Sequence, residues 1–162
     1  MALDIRQARP QDAAVVADIL VEASAWVDAL GVVMWEEGEL ASGRIEAECA
    51  AGQFFIACVD DDPAGVIRFQ LEDLLFWPDL PQSESAFVHR LAVRRPYKGQ
   101  GVSTALLQWA VDRARGLGRR HLRLDCDEAR PKLRAFYERF GFQLHSFRQV
   151  GAYYVARYQY PL

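Results

Sequence analysis

The stretch Arg94-Arg95-Pro96-Tyr97-Lys98-Gly99-Gln100-Gly101-Val102-Ser103-Thr104 sets three cations beside two glycines two residues apart. It follows an apolar run, Ala86–Val93, that reads as a strand. It precedes a run from Val102 to about Arg115 whose apolar residues recur at helical spacing. Glycines at such a junction let the backbone approach an anion closely. The first amides of a helix have no partner inside it, and the helix dipole adds partial positive charge. The chemistry is that of a phosphate or pyrophosphate site; a plain tight turn is the structural alternative.

Three loops of this kind differ in spacing. A Walker loop, G-x-x-x-x-G-K-[ST], carries its lysine after the glycines, whereas Lys98 stands before them. A dinucleotide loop, G-x-G-x-x-G, needs a third glycine where this chain has Thr104. Asp125 does stand near the end of the next strand, about where that motif places its ribose-binding acid. The loop comes late, however, and too little chain follows for a second mononucleotide half.

The elements that must position the loop read in the order β-α-α-β-β-β-α-β-α-β-β. Leu3–Ala8 alternates as a half-buried strand, and Pro10 opens a helix with Asp12 in its first turn and an end near Gly31. Ile45–Ala51 reads as a second helix and Phe54–Val59 as a strand. Asp60-Asp61-Asp62-Pro63-Ala64-Gly65 reads as a turn, with Val66–Leu71 as the returning strand. Leu74–Ser85 is irregular. After the loop helix come a strand at Leu122–Cys126 and a helix opened by Pro131, with Leu133, Phe136, Tyr137 and Phe140 on one stripe. Phe142–Phe147 and Tyr153–Tyr160 form the last strand pair. This is an α/β fold with a mixed sheet of six to seven strands and four helices. Its strand-loop-helix-strand unit is expected to be a right-handed crossover between parallel strands.

With 162 residues and 51% hydrophobic content, the chain is expected to form one domain, residues 1–162. A net charge of -3 argues against sequence-independent binding to nucleic acid. Cys49, Cys58 and Cys126 form no C-x-x-C pair, and His89, His121 and His145 are scattered, so no metal is expected. A charged N-terminus and the lack of a long apolar run suggest a cytoplasmic protein without a membrane partner.

From Ala86 to Phe142, AFVHRLAVRRPYKGQGVSTALLQWA…LRLDC…LRAFYERFGF resembles the GCN5-related N-acetyltransferase superfamily (GNAT). That family's pyrophosphate loop, [QR]-x-x-G-x-[GA], aligns with Lys98–Ser103, with Lys98 for Gln or Arg and Ser103 for Gly or Ala. Tyr137-Glu138-Arg139-Phe140-Gly141-Phe142 resembles its Y-x-x-x-G-F signature. The resemblance implies a splayed strand pair, with the backbone of Leu91, Ala92 and Val93 holding the pantetheine arm of acetyl-CoA. It gives the pyrophosphate to the amides of Lys98, Gly99, Gln100, Gly101, Val102, Ser103 and Thr104. Arg130 stands where relatives carry an Asn, and an arginine could reach a phosphate there instead.

The same resemblance makes Tyr137 the acid that protonates the departing thiolate; packing in the apolar stripe is the compatible alternative. A base must also deprotonate the acceptor. His89, on the strand beside the thioester, is the candidate, with Glu84, Glu36, Glu37 and Asp73 as others and a buried structural histidine as the alternative. The acceptor pocket falls on Trp26–Glu39 and Asp73–Trp77, where Trp35, Glu36, Asp73 and Trp77 suit a cationic amine; core tryptophans are the alternative. The resemblance implies an N-acetyltransferase that moves acetyl from acetyl-CoA to a small-molecule primary amine by direct attack, with a protein lysine or N-terminus, or a non-catalytic acyl-CoA-binding module, as the alternatives. A homodimer is expected from the resemblance, with Tyr153–Tyr160 as its edge.

Overall fold

A two-residue turn sets the first hairpin. Asp60 and Asp61 both take positive φ, +48° and +70°, and Val59 pairs directly with Asp62. Two consecutive left-handed residues match the twist of the flanking strands, and aspartate tolerates that conformation. The turn is therefore shorter than the six residues read from composition. Asp62 and Pro63 already belong to the returning strand, where proline is tolerated near a strand's start.

The computed structural model describes residues 2–28 and 40–162. The expected helix end near Gly31 lies outside the described residues. The elements are β1 (Leu3–Gln7), α1 (Ala13–Asp28), α2 (Ser42–Ala50), β2 (Phe54–Val59), β3 (Asp62–Gln70), β4 (Ser85–Val93), α3 (Val102–Gly116), β5 (His121–Asp127), α4 (Pro131–Phe140), β6 (Gln143–Val150) and β7 (Tyr153–Pro161). Asp12 closes a short 3-10 turn ahead of α1. It accepts the Arg9 amide at 2.8 Å and the Arg6 guanidinium at 2.9 Å, and those bonds hold its carboxyl down at about 2.

The chain divides into two compact units, Met1–Arg68 with Arg90–Leu107, and Phe69–His89 with Gln108–Leu162. In the first, β1 and β2 pair antiparallel, as do β2 and β3. Val16, Ile19 and Leu20 of α1 and Ile45 and Cys49 of α2 bury against Phe54, Ile56, Val66 and Ala92. Gly65 matters here: a side chain on it would meet the Ala92 carbonyl at 2.9 Å and Val102 Cγ1 at 3.1 Å. In the second unit β4 and β5 run parallel, as expected of the crossover, and β5, β7 and β6 follow antiparallel. The strands thus read β1-β2-β3-β4-β5-β7-β6, a seven-stranded mixed sheet with four helices.

That order corrects one expectation. β7 lies between β5 and β6 and is hydrogen-bonded on both sides, so Tyr153–Tyr160 is not an edge; β6 is. A hairpin's second strand can insert beside an earlier strand because antiparallel pairing needs only a short turn.

Gly141 ends α4 with φ +125°. Its amide and that of Phe142 both return to the Tyr137 carbonyl, at 3.2 and 3.0 Å. The G-F of the signature therefore closes the helix onto the backbone of its own tyrosine. A Cβ at Gly141 would stand 3.0 Å from the Tyr160 ring. Gly141→Ala is expected to cost about 1–3 kcal/mol, read as a melting temperature lowered by roughly 5 °C. An unchanged melt would show that the left-handed turn carries no strain for alanine.

Candidate active site

The loop belongs to the first unit. Arg95–Tyr97 form a single 3-10 turn, and Gly99 and Gly101 follow with φ of +79° and +81°. Nothing crowds either glycine, so conformation and not space demands them. The first helical bond runs from the Ala105 amide to the Gly101 carbonyl at 2.9 Å, which leaves the Val102, Ser103 and Thr104 amides ahead of the ladder. Two of the expected anion donors are used inside the turn. The Lys98 amide donates to the Arg95 carbonyl at 3.1 Å and the Gln100 amide to Tyr97 at 3.3 Å. The anion cradle narrows to Gly99, Gly101 and the first turn of α3. Leu91 and Val93 are half-buried, while Ala92 is buried in the core.

The second unit holds a separate polar cluster. β4 pairs with β5 only through Ser85, Ala86 and Phe87, opposite His121, Leu122 and Arg123. His89 and Asp125 lie two residues further along each strand, where that ladder has stopped. Arg90 follows His89 with φ +56°, a sparsely populated conformation for a non-glycine residue.

Asp73 reaches His89 from the segment after β3. Its Oδ2 lies 2.7 Å from His89 Nε2, and its Oδ1 accepts the Phe76 amide at 3.0 Å. Gln82 accepts the Asp73 amide at 2.6 Å and donates to the Trp77 carbonyl at 2.7 Å. These bonds tie the irregular segment into one shape. Burial alone would lift the Asp73 carboxyl, but the hydrogen bond and charge of His89, with the amides of Phe76 and Leu75, outweigh it and hold it below its ordinary value. An ionised Asp73 can only accept, so His89 Nε2 carries a proton toward it. Nδ1 faces Asp125 Oδ2 at 3.6 Å.

Asp125 is the residue to which a dinucleotide loop would give a ribose, a reading that the late loop and the short chain after it set aside. Its side chain is 9% exposed, and its Oδ2 has no hydrogen-bond partner among the described residues. Burial pushes its carboxyl up to about 6, with the Asp73 charge adding to that and His89 and Arg157 opposing it. Asp73, His89 and Asp125 each bring a ligand-type atom within 4.8 Å of the others, a convergence that the scattered histidines did not foretell. Among the described residues the signal was the alternation along β5, which puts Asp125 on the face of His121 and Arg123.

Tyr137 is 7% exposed, and its ring packs against Phe136, Phe142 and Tyr158 at 5.4, 5.9 and 6.4 Å. Burial drives its hydroxyl upward, with Cys126 and Asp125 adding to the shift, so it keeps its proton at any working pH. The Cys126 thiol is pushed up to about 12, mainly by burial, which removes it as a nucleophile. Arg130 is half-buried at the N-cap of α4, its amide on the Asp127 carbonyl at 3.2 Å.

Two expected pocket residues change role. Trp77 is 0% exposed, with the Arg157 and Arg123 guanidinium groups 4.5 and 5.2 Å from its ring; it is a core residue with no surface for an acceptor. Asp73 is 6% exposed and orients His89. Phe76 supplies the aromatic wall, 5.6 Å from His89 and 6.4 Å from Tyr153. Trp35, Glu36 and Glu37 lie outside the described residues. Glu84 pairs loosely with Arg120 at 3.9 Å, at the far end of β4 from His89.

Asp125 also leaves a mark on stability. Its carboxyl titrates near 6 in the folded chain and near 3.8 unfolded. Between those values the native state holds a proton that the unfolded state has released, so this group favours folding as pH falls and opposes it as pH rises. Asp125→Asn is expected to gain about 1–3 kcal/mol at pH 7 and to lose that advantage below about pH 4. Thermal melts across pH check this, and a constant difference at every pH would refute it.

Residues 15–142 match the model of the acetyltransferase (GNAT) family. The uncharacterized N-acetyltransferase YesJ of Bacillus subtilis (strain 168) is 30% identical over 141 residues, 82% of this chain and 77% of that protein. The PaiA N-acetyltransferase from Thermoplasma acidophilum, solved in complex with coenzyme A, has a TM-score of 0.77 at 18% identity, covering 99% of this chain and 100% of that one. YncA from Salmonella typhimurium, solved with its cofactor acetyl-CoA, has a TM-score of 0.75 at 16% identity, covering 100% of this chain and 95% of that one. No described helix is long and apolar enough to cross a membrane.

Proposed function

Because the chain belongs to the acetyltransferase (GNAT) family, matched over residues 15–142, we propose that it moves an acetyl group from acetyl-CoA to a primary amine by direct attack. The observation that carries this reading is His89, held at 2.7 Å by Asp73 with Nδ1 turned toward Asp125. Acetyl-CoA as the donor is supported by the coenzyme A and acetyl-CoA bound to the Thermoplasma and Salmonella proteins. The pyrophosphate would lie on Gly99, Gly101 and the first amides of α3, and the pantetheine arm along Leu91–Val93. Arg130 would face a phosphate in place of the usual asparagine.

The acceptor arrives as an ammonium and must lose a proton before its nitrogen can attack. His89 Nδ1 takes that proton, and Asp73 holds the ring and stabilises the imidazolium, as a carboxylate does behind a catalytic histidine. The amine nitrogen then bonds to the thioester carbon, the C–S bond breaks, Tyr137 protonates the departing thiolate, and the second proton shed by the new amide nitrogen leaves through solvent, which also reprotonates Tyr137. No thiol of the chain is needed as an intermediate carrier, in keeping with the raised Cys126. The depth of Asp73 and Asp125 suits a slim acceptor, a small molecule presenting one free amine.

Acetyl-CoA-dependent thiol release over a panel of amines tests the reading. Tyr137→Phe is expected to lower kcat by roughly 10²-fold, and His89→Ala by a similar factor at pH 7. The His89→Ala deficit should shrink as pH rises toward the pKa of an alkyl amine, near ~10, because solvent then supplies the free amine. A deficit independent of pH would deny His89 the base role, and an unaltered kcat in Tyr137→Phe would deny the acid.

A further inference from the structure

Asp125 is a buried carboxylate whose own cation is engaged elsewhere. Arg157 pairs directly across from it in the β5–β7 ladder. The Arg157 guanidinium turns instead to Asp79, at 2.7 and 3.0 Å, to the Phe76 carbonyl at 3.0 Å and to Ser146 at 2.8 Å. His89 Nδ1, at 3.6 Å, is beyond hydrogen-bond distance. Asp73 is a like charge. Asp125 Oδ2 is thus left buried without a donor, an arrangement costly enough to call for a partner.

The missing partner is a small cation with N–H donors, seated at the cluster of Asp73, His89 and Asp125. We propose that Asp125 seats the acceptor's ammonium, and that the two carboxylates beside it select amines that carry no carboxylate next to the reacting nitrogen. The assignment rests on the reading of this cluster as the acceptor's site. An ammonium on Asp125 Oδ2 brings its N–H toward His89 Nδ1, so one seat both binds the cation and delivers its proton to the base. The Phe76 and Tyr153 rings line the same region and suit a cation or its alkyl stem. An α-amino acid would place its carboxylate within several ångströms of Asp73 and Asp125, in a site with little water to screen the repulsion.

Matched pairs differing only in that carboxylate test the proposal: tyramine with tyrosine, histamine with histidine, agmatine with arginine. Both kcat/KM by thiol release and direct binding by ligand-observed NMR in the presence of coenzyme A are read. The amines are expected to exceed their amino acids by ~10²-fold in kcat/KM, the factor expected of a like-charge contact several ångströms apart at an effective dielectric of ~20. Asp125→Asn should lower the amine's value and narrow the ratio to within roughly tenfold. Equal use of both members of each pair, or a ratio unmoved by Asp125→Asn, overturns the assignment. Thiol release from no amine counts against the transferase reading alone, because the binding arm still decides: amines that bind in preference to their acids support the seat, and absent or indifferent binding overturns it. Loss of turnover on chelation, restored by a divalent cation, would give Asp125 to a metal and overturn it as well.

Discussion

Three residue pairs hold β4 to β5, and then the ladder stops while both strands continue. Much of the site follows from that interruption. Paired strands stand about 4.8 Å apart and leave no room for a ligand between their side chains. His89 and Asp125 are the first residues on their shared face beyond the last pair. Side chains on a continued ladder would pack against each other; here a hydrogen-bonding segment, Asp73–Gln82, reaches in to take hold of one of them.

The charges around the opening are arranged for chemistry at some cost to stability. Arg157 could neutralise Asp125 but is bound bidentately to Asp79, where it also anchors the segment that carries Asp73. Moving the cation one partner away does two things at once. It fixes the irregular segment, and it leaves a carboxylate in low dielectric with a raised proton affinity. Such uncompensated groups are tolerated where binding or catalysis requires them, and replacing them commonly stabilises a protein. Tyr137 shows the converse: its ring contributes to an aromatic cluster and its burial keeps the hydroxyl protonated. One residue thereby packs in the aromatic cluster and retains its proton.

The anion loop was legible because its physics is local. Glycines at positive φ, an adjacent helix start and nearby cations lie within a dozen residues, so neither long-range pairing nor packing is needed to see them. The same holds for the Y-x-x-x-G-F end of α4, where Gly141 and Phe142 donate to the carbonyl of Tyr137 itself. What the local pattern could not supply was which amides the turn spends on itself. Lys98 and Gln100 look like anion donors in the motif, yet the 3-10 turn takes both.

By itself the sequence determined the element order, the parallel crossover, the glycine turn before α3 and the tyrosine-bearing helix, since each depends on periodicity, caps and turn chemistry within a few residues. Only the tertiary structure decided that β7 lies inside the sheet, that Trp77 is core beneath two guanidinium groups, and that Asp125 faces His89. Asp125 stands 36 positions from His89 and Arg157 stands 80 from Trp77, and the meeting of such pairs is set by strand order and by where a ladder ends. Asp125 is the clearest case. Strand spacing alone matched a ribose-binding acid of a motif that the rest of the chain does not carry, whereas the face it occupies makes it the neighbour of His89.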